Sequence, residues 1–500
     1  MIVSDESFVF FVYPFLFDAH RFDELAQQVK EATAGAANRN VWEEIRFPTH
    51  DMLSHVARYV NPSDDAYATA RMWKLCDSQQ QIQGLARKVE WTLSAKERNI
   101  PFHFGDIRGK QFAVHLALFS SGVGLLTVRA MPTLGLLDDW LDFIRYFRIS
   151  NGYQDVTVYS QRRRGELGFS PTFPPLAGGL NERPDEGRVF QEVLNAFLKT
   201  AAPADEQSQW WQEVYVPGRL LSWAALFVDE VPNDERPQIL FKARNFHGSR
   251  QSFRPHPFDM RVDEHPALLP FAEQQWFTFS LEGGTFIAFD ATKHFYRSNL
   301  RDQLRSQYFL LFLMALHQRF ALMKLSGEVT AQWLPLQKPQ SEVESRAAAF
   351  EYIQNSLLTF TARGYFAQVM QQEHYHRVYV KWREIFQVEH LYQEVSGQVR
   401  EMHGYLLARR TAHLEELAEM ANKRANTLNL IIASLGLAFA VPALVLSFLG
   451  VNIEEVTAGP GIRWRNALLL TVAALLPALL FLLTLVTILL FKRRQRQREE

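Results

Sequence analysis

The chain has 500 residues, a formal net charge of -1 and a sequence pI near 7.0. At roughly 150 residues per domain, this length leaves room for about three domains and a large buried core. With its balanced charge, the chain therefore lacks the excess of basic residues that proteins binding a nucleic acid polymer usually carry. The single cysteine, Cys76, excludes an intramolecular disulfide and fits a reducing compartment.

The N-terminus carries an apolar run from Phe8 to Phe17. A signal peptide would need a basic flank before such a run, but Asp5 and Glu6 stand there, and no small-residue cleavage site follows. We therefore favour a buried first strand over a signal peptide.

Residues 1–330 predict a cytoplasmic domain with a mixed sheet in an α/β/α arrangement, an α+β fold. Apolar segments surround glycine turns in Phe112–Met131 and Trp276–Asp290, which predicts two hairpins. Leu220–Val231 predicts a further strand. Helical patterns occupy Leu136–Phe147, Val189–Leu198 and Asn299–Leu325. The last of these helices is apolar over too short a stretch to cross a bilayer, so it is interpreted as a core helix.

A basic loop follows the strand pattern at 220–231. Its cationic side chains are Lys242, Arg244, Arg250, Arg254 and Arg261. Clustered cations of this kind bind anionic ligands, so the loop is a candidate site for a small nucleotide. The alternative is an ordinary solvated basic loop.

The sequence offers little support for an enzyme. It contains no Walker loop, HExxH motif, nucleophile elbow or CxxC pair. His374 and His376 lack the spacing that places two imidazoles on one face of a helix, and are interpreted as part of a surface cluster. We expect no catalytic residues.

Residues 331–427 predict a helical region that ends in a long stalk helix. Proline is absent between Gln340 and Val441. The segment from Val388 to Thr427 therefore predicts one helix of about 60 Å, at 1.5 Å per residue, that continues into the next segment.

Two uncharged segments, 428–449 and 467–491, are each long enough to span a bilayer. They predict a helical hairpin joined by an extracytoplasmic loop at 450–466. Lys423 and Arg424 precede the hairpin and the basic tail 492–500 follows it. Because cytoplasmic flanks carry the excess of basic residues, we expect a multi-pass protein of the inner membrane with both termini in the cytoplasm.

The tripeptide Gly450-Val451-Asn452 follows the first span directly, and an acidic loop, a second span and a basic tail come after it. This arrangement, over roughly Val388 to Arg498, resembles the CorA superfamily of divalent-cation channels, whose signature is Gly-Met-Asn. The resemblance implies a pentamer in which the first span lines the pore and the second packs outside. It also implies a divalent cation such as Mg²⁺ as the permeant or regulatory ion.

The predicted pore residues share one stripe of the first span. Its small side chains are those of Ala433, Gly436, Ala440, Ala443 and Ser447, which allow close helix packing or face a pore. Asn426 and Asn429 lie on nearly the same side at the cytoplasmic end, as pore amides or as polar residues at headgroup level.

The outer mouth of the predicted pore is formed by the loop. A ring of Asn452 amides can replace outer-shell water of a hydrated cation. Glu454 and Glu455 would attract cations to it, or are ordinary loop residues.

Two departures from the family are evident. Valine replaces the family's methionine in the tripeptide, and the soluble part is larger than in housekeeping members. Enlarged CorA-like proteins also serve bacterial antiviral systems, including type III CRISPR loci, where a nucleotide messenger is thought to gate them. The leading hypothesis is a channel gated by its cytoplasmic domain. The alternatives are a membrane-tethered binding or scaffold protein without a pore, and an enzyme with an unrecognised site.

Overall fold

The computed structural model describes residues 1–34, 39–47, 49–61, 68–76, 90–96, 98–105, 114–161, 189–202, 209–248, 254–262, 264–291, 295, 298–333, 341–450, 472, 475–476, 479, 482–483 and 486–487. The chain divides into two units, Met1–Met402 and the part from His403 onward.

The fold is mixed α+β, with one large mixed sheet, helices packed against it and a long C-terminal helix. The strands are β1 (Ile2–Val3), β2 (Phe8–Leu16), β3 (Thr33–Ala34), β4 (Arg39–Asn40), β5 (Trp42–Ile45), β6 (Ala70–Leu75), β7 (Glu90–Ala95), β8 (Arg98–Phe104), β9 (Val114–Phe119), β10 (Val123–Pro132), β11 (Thr157–Gln161), β12 (Gln212–Glu213), β13 (Leu221–Asp229), β14 (Leu268–Ala272), β15 (Gln275–Ser280) and β16 (Gly283–Phe289). The helices are α1 (Phe22–Glu31), α2 (Ser54–Val60), α3 (Leu137–Phe147), α4 (Phe190–Ala201), α5 (Arg236–Asn245), α6 (Asn299–Arg305), α7 (Gln307–Trp333), α8 (Ser341–Arg363), α9 (Glu373–Ile385) and α10 (Val388–Gly450).

The main path of the sheet runs β11-β7-β8-β10-β2-β13-β16-β15-β14. Strands β13 and β16 are parallel, whereas the other neighbours on this path are antiparallel. Strand β10 also pairs with β9, which begins a branch through β6 to β5. The two predicted hairpins are confirmed as β9–β10 and β15–β16. Gly122 takes a φ of 82° in the first turn, a conformation that glycine adopts without strain.

Strand β2 lies between β10 and β13 and is buried on both faces. Successive side chains of a strand point to opposite faces. Phe10 accordingly packs on Phe309 of α7 and Phe11 on Phe147 of α3, each pair with ring centroids 4.4 Å apart. An unbroken apolar run is the composition that such a doubly covered strand requires. The interpretation of this run as a buried strand is therefore confirmed.

Asn299–Gln332 is the one stretch of the described chain that is long and apolar enough, by length and composition, to cross a membrane, and it covers α6 and all of α7 except Trp333. Most of its apolar window is buried inside the protein. Trp223 of the sheet donates its indole N–H to the Leu304 carbonyl at 3.0 Å, and Phe312 packs on Trp382 of α9 at 4.8 Å. These contacts agree with the predicted core helix.

Helix α10 is continuous over 63 residues, a length of about 95 Å. The predicted uninterrupted helix from Val388 is thus present. The predicted stalk fits only loosely, however, because the helix as far as Met402 belongs to the first unit. Val395 is buried there against Leu325 and Leu357.

Candidate functional site

The last third of α10 is apolar and exposed. Between 43% and 74% of each large side chain is accessible at Leu428, Leu430, Ile432, Leu435, Leu437, Phe439 and Leu444. Exposed apolar surface of this extent marks a contact with lipid or with another protein. The segment that carries it is the first predicted span.

The small-residue stripe lies along the same segment. Each residue of an α-helix advances by about 100°, so Ala433, Gly436, Ala440, Ala443 and Ser447 fall within about 80° of arc. All five positions are exposed. A Cβ atom added at Gly436 would meet no atom of the described chain within 4 Å. The stripe is therefore open in the single chain.

The two asparagines share this stripe. Asn429 falls near its centre and Asn426 about 20° beyond its edge, and both are exposed. Ser434 lies about 140° from the stripe centre, is only 7% exposed, and donates its hydroxyl to the Ile431 carbonyl at 2.8 Å. The open side of the helix thus combines small side chains with amides, whereas Ser434 on the opposite side is covered.

The described positions of the second predicted span are helical. They are Val472, Leu475, Leu476, Leu479, Leu482, Leu483, Val486 and Thr487, and all are exposed. These positions alone do not establish a second spanning helix. Gly450 is the last described residue of α10, and Val451, Asn452, Glu454 and Glu455 lie outside the described residues.

Two cations of the basic loop are engaged by carboxylates of the same part of the chain. Arg244 is buried and donates to Asp259 at 2.7 Å. Burial raises the pKa of Asp259, but the hydrogen bond and charge of Arg244 outweigh it, so that pKa lies below its usual value. Arg261 is exposed and pairs with Glu264 at 3.1 Å.

The other cations of this loop are less engaged. Lys242 is half-buried on α5, Arg254 is exposed, and Arg250 lies outside the described part of the chain. An anionic-ligand site in this loop remains a prediction.

A serine and a histidine meet between the β9–β10 turn and α7. The Ser121 hydroxyl lies 3.0 Å from Nε2 of His317, and burial lowers the pKa of His317 to about 3. A catalytic pair of this type needs a third group that orients the histidine through Nδ1. Within the described residues Nδ1 of His317 has no hydrogen-bond partner. The described residues therefore do not complete a Ser-His-acid triad around this pair.

The histidines of α9 do not form a metal centre with their described neighbours. Tyr375, which stands between His374 and His376, is 1% exposed and packs on Tyr308 at 4.9 Å, so this segment belongs partly to the core. Among the residues that the structure describes, no three His, Cys, Asp or Glu side chains are grouped to hold a metal ion.

One cluster was not recognised from the sequence. Arg148, Arg219 and Arg319 come from distant parts of the chain and meet around Tyr215 and Glu282. No motif or spacing signals it, because only the sheet and α7 bring the three arginines together.

No family model, curated protein or solved structure matches this chain.

Proposed function

We propose that the protein is a CorA-like homo-oligomeric channel for divalent cations such as Mg²⁺. In this proposal a two-helix hairpin holds it in the inner membrane, both termini are cytoplasmic, and the mixed α+β unit gates the pore. The observation that carries the proposal is the open stripe of small residues and amides on an otherwise apolar, exposed segment of α10.

The exposed leucines support a membrane location. The segment 428–449 would extend about 33 Å as a helix, against about 30 Å for the hydrocarbon core of a bilayer. In water, each Å² of apolar surface left exposed forgoes about 25 cal/mol of burial free energy. Lipid removes this penalty on every side of the helix. A packed soluble core would remove it only on the sides that the core covers.

The stripe supports a pore over a simple anchor. An anchor needs apolar surface alone, so it would have no need to align five small residues with Asn426 and Asn429. Small side chains let neighbouring helices approach closely. Copies arranged around an axis would then present their amides to that axis, where amide oxygens suit a cation that keeps part of its water shell.

The low exposure of Ser434 on α10 fits the same arrangement. In the CorA-like arrangement the second span packs outside the first, so the side away from the pore should be occupied. Ser434, about 140° from the stripe centre, is the side chain with the least exposure in this segment of the described chain. The open stripe is left for contacts with other copies.

Gating would act through α10, because this helix begins inside the first unit and continues through the predicted span. A ligand that favours one arrangement of the first unit would bias the position of the helix. A nucleotide ligand and a role in antiviral defence follow from the family resemblance and belong to this proposal.

The second candidate function is a membrane-tethered scaffold without a pore. It is favoured by the large self-contained core of Met1–Met402, which could act as a binding unit held at the membrane. The two candidates differ in one property. A scaffold keeps its function when the stripe and the Gly-Val-Asn tripeptide are altered, whereas a channel does not.

The test is cation flux through the purified chain in liposomes loaded with a Mg²⁺-sensitive dye. We expect flux from the parent, and reduced flux from Asn452→Ala and Gly450→Leu with the oligomer intact. Leu479→Ala is the matched control, because Leu479 is 65% exposed on the second predicted span, away from the pore. Flux that persists unchanged in both pore variants would favour the scaffold.

A further inference from the structure

Three arginines converge at one corner of the first unit. Arg148 follows α3, Arg219 precedes β13, and Arg319 lies on α7. The backbone around them is fixed by hydrogen bonds. The Leu220 amide donates to the Arg148 carbonyl at 3.0 Å, and the Ser222 amide donates to the Glu282 carbonyl at 3.1 Å.

The same corner holds the tip of the β15–β16 hairpin. The guanidinium of Arg319 donates to the Leu281 carbonyl at 3.0 Å. Gly283 has a φ of 130°, and a Cβ there would lie 2.0 Å from the Ser222 carbonyl oxygen, so the hairpin tip is pressed against β13. The three arginines are therefore held on rigid elements.

Positive charge exceeds negative charge in this corner. The buried Arg148 forms an ion pair with Glu282 at 2.5 Å. Neither Arg219 nor Arg319 forms an ion pair with any described residue. Among the charged groups that act on Tyr215 in the described part of the chain, three are arginines and one is a carboxylate, and that carboxylate pairs with Arg148.

Tyr215 is close enough to sense all of these charges. Burial raises the pKa of its hydroxyl, the three arginines lower it, and Glu282 raises it. Burial likewise lowers the pKa of Arg148, Glu282 raises it and Arg219 lowers it further. The four charged groups therefore lie within electrostatic reach of Tyr215.

Arg319 is held in place by aromatic rings. Its guanidinium carbon lies 5.8 Å from the ring centroid of Tyr215 and 5.2 Å from that of Phe386. Such contacts fix the orientation of a guanidinium before any ligand arrives, which lowers the entropic cost of binding. Its remaining N–H groups are available to an acceptor.

We propose that Arg148, Arg219 and Arg319 form a binding site for a small free anion that carries phosphate groups. An excess of like charge on partly buried groups is unfavourable, and an anion of two or more charges would relieve it. Phosphate is the chemistry that fits, because the planar fork of arginine donates two parallel hydrogen bonds to its oxygens.

The site lies next to the start of the long helix. Phe386, beneath Arg319, is two residues before Val388, where α10 begins. A bound anion could therefore influence α10 and serve as the gating ligand. This regulatory consequence rests on the proposed channel function, whereas binding itself does not.

Calorimetric titration of the full chain in neutral detergent with sodium pyrophosphate tests the proposal. We expect the parent to bind, and Arg219→Gln and Arg319→Gln each to weaken binding by about tenfold or more, since each loses a charge-assisted hydrogen bond. Arg219→Lys should bind more weakly than the parent and more tightly than Arg219→Gln. The control is Arg363→Gln, which removes an exposed arginine of α8 and should bind like the parent, whereas Arg254→Gln tests whether the anion binds the basic loop instead.

Three results would overturn the site. They are a parent that does not bind pyrophosphate, glutamine variants that bind as the parent does while keeping its melting temperature, and loss of binding in Arg254→Gln instead. Capture of the chain only by vesicles of anionic lipid, without binding to pyrophosphate, would also overturn it. A chain that binds pyrophosphate but passes no cation would support the site and contradict the channel.

Discussion

Replacement of Gly436 by leucine tests whether the small-residue stripe contacts other copies of the chain or faces only lipid. Within the single chain the change should be tolerated, because a Cβ at this position meets no atom of the described chain within 4 Å. Leucine also favours a helix over glycine by about 0.7 kcal/mol. The fold of the first unit should therefore be unaffected.

In an oligomer packed through the stripe, the same leucine adds four heavy atoms at a point of close approach. Overpacking of this kind costs about 1 to 3 kcal/mol per contact. A loss of about 1.4 kcal/mol in the conducting arrangement already lowers its population tenfold. We expect Mg²⁺ flux in liposomes to fall at least about tenfold or to lose its regulation.

The matched control is Gly404→Leu on the same helix. Gly404 is exposed, and a Cβ there likewise meets no atom of the described residues within 4 Å, but it lies outside the apolar segment. Its flux should equal that of the parent. If Gly436→Leu conducts and assembles like the parent, the stripe is not a packing face and the reasoning fails.

Four further predictions follow from the structure. Arg98→Met should lower the free energy of unfolding by about 3 kcal/mol, because it removes the ion pairs that Arg98 forms with two buried aspartates of α3. Arg261→Met, at an exposed pair, should change it by less than about 1 kcal/mol in the same denaturation assay. The pKa of His317 is lowered from an unfolded value of about 6.5 to about 3, so its contribution to stability is complete above pH 6.5 and declines as the pH falls toward 3. At pH 5.5 the loss should be about 1.4 kcal/mol, and thermal melts of His317→Gln should lack it. Asn452→Ala should reduce the cation flux while the oligomer stays intact in size-exclusion chromatography. Unchanged flux would show that the Asn452 amides do not line the pore. A cysteine at Thr457→Cys should react with an impermeant reagent from outside intact cells while the native cysteine does not, and reversed labelling would overturn the orientation.

Local sequence patterns predicted the elements of the fold well where the residues that carry the pattern are also the residues that form the element. The β9–β10 turn was marked by Gly122, which takes the left-handed conformation that the turn requires. Strand β2 was marked by its unbroken apolar run, and it is covered on both faces.

Pairings between distant segments could not be predicted in the same way. The parallel pair β13–β16 joins Ser222 to Gly283 across more than fifty residues, and strand patterns do not specify such partners. The predicted stalk fits only loosely for a related reason. Val395 is buried by Leu325 and Leu357, which belong to other helices, so α10 alone gives no sign of where it leaves the first unit.

The same distinction applies to the sites. The stripe on α10 was predictable because five small residues on one helix face follow from spacing alone. The basic loop shows the limit of charge counting, because Asp259 neutralises Arg244 from only fifteen positions away. The arginine cluster depends on contacts between α7, β13 and the β15–β16 hairpin, so only the tertiary structure reveals it.

The most direct test of the channel is the mass of the intact particle, measured by native mass spectrometry of the full chain released from detergent or lipid nanodiscs. A pore lined by one helix per chain requires several copies, so we expect a single closed oligomer at a fixed multiple of 57.8 kDa, five by the family resemblance. A particle of 57.8 kDa that remains monomeric across mild detergents and in lipid would contradict the channel and leave the membrane-tethered scaffold in its place.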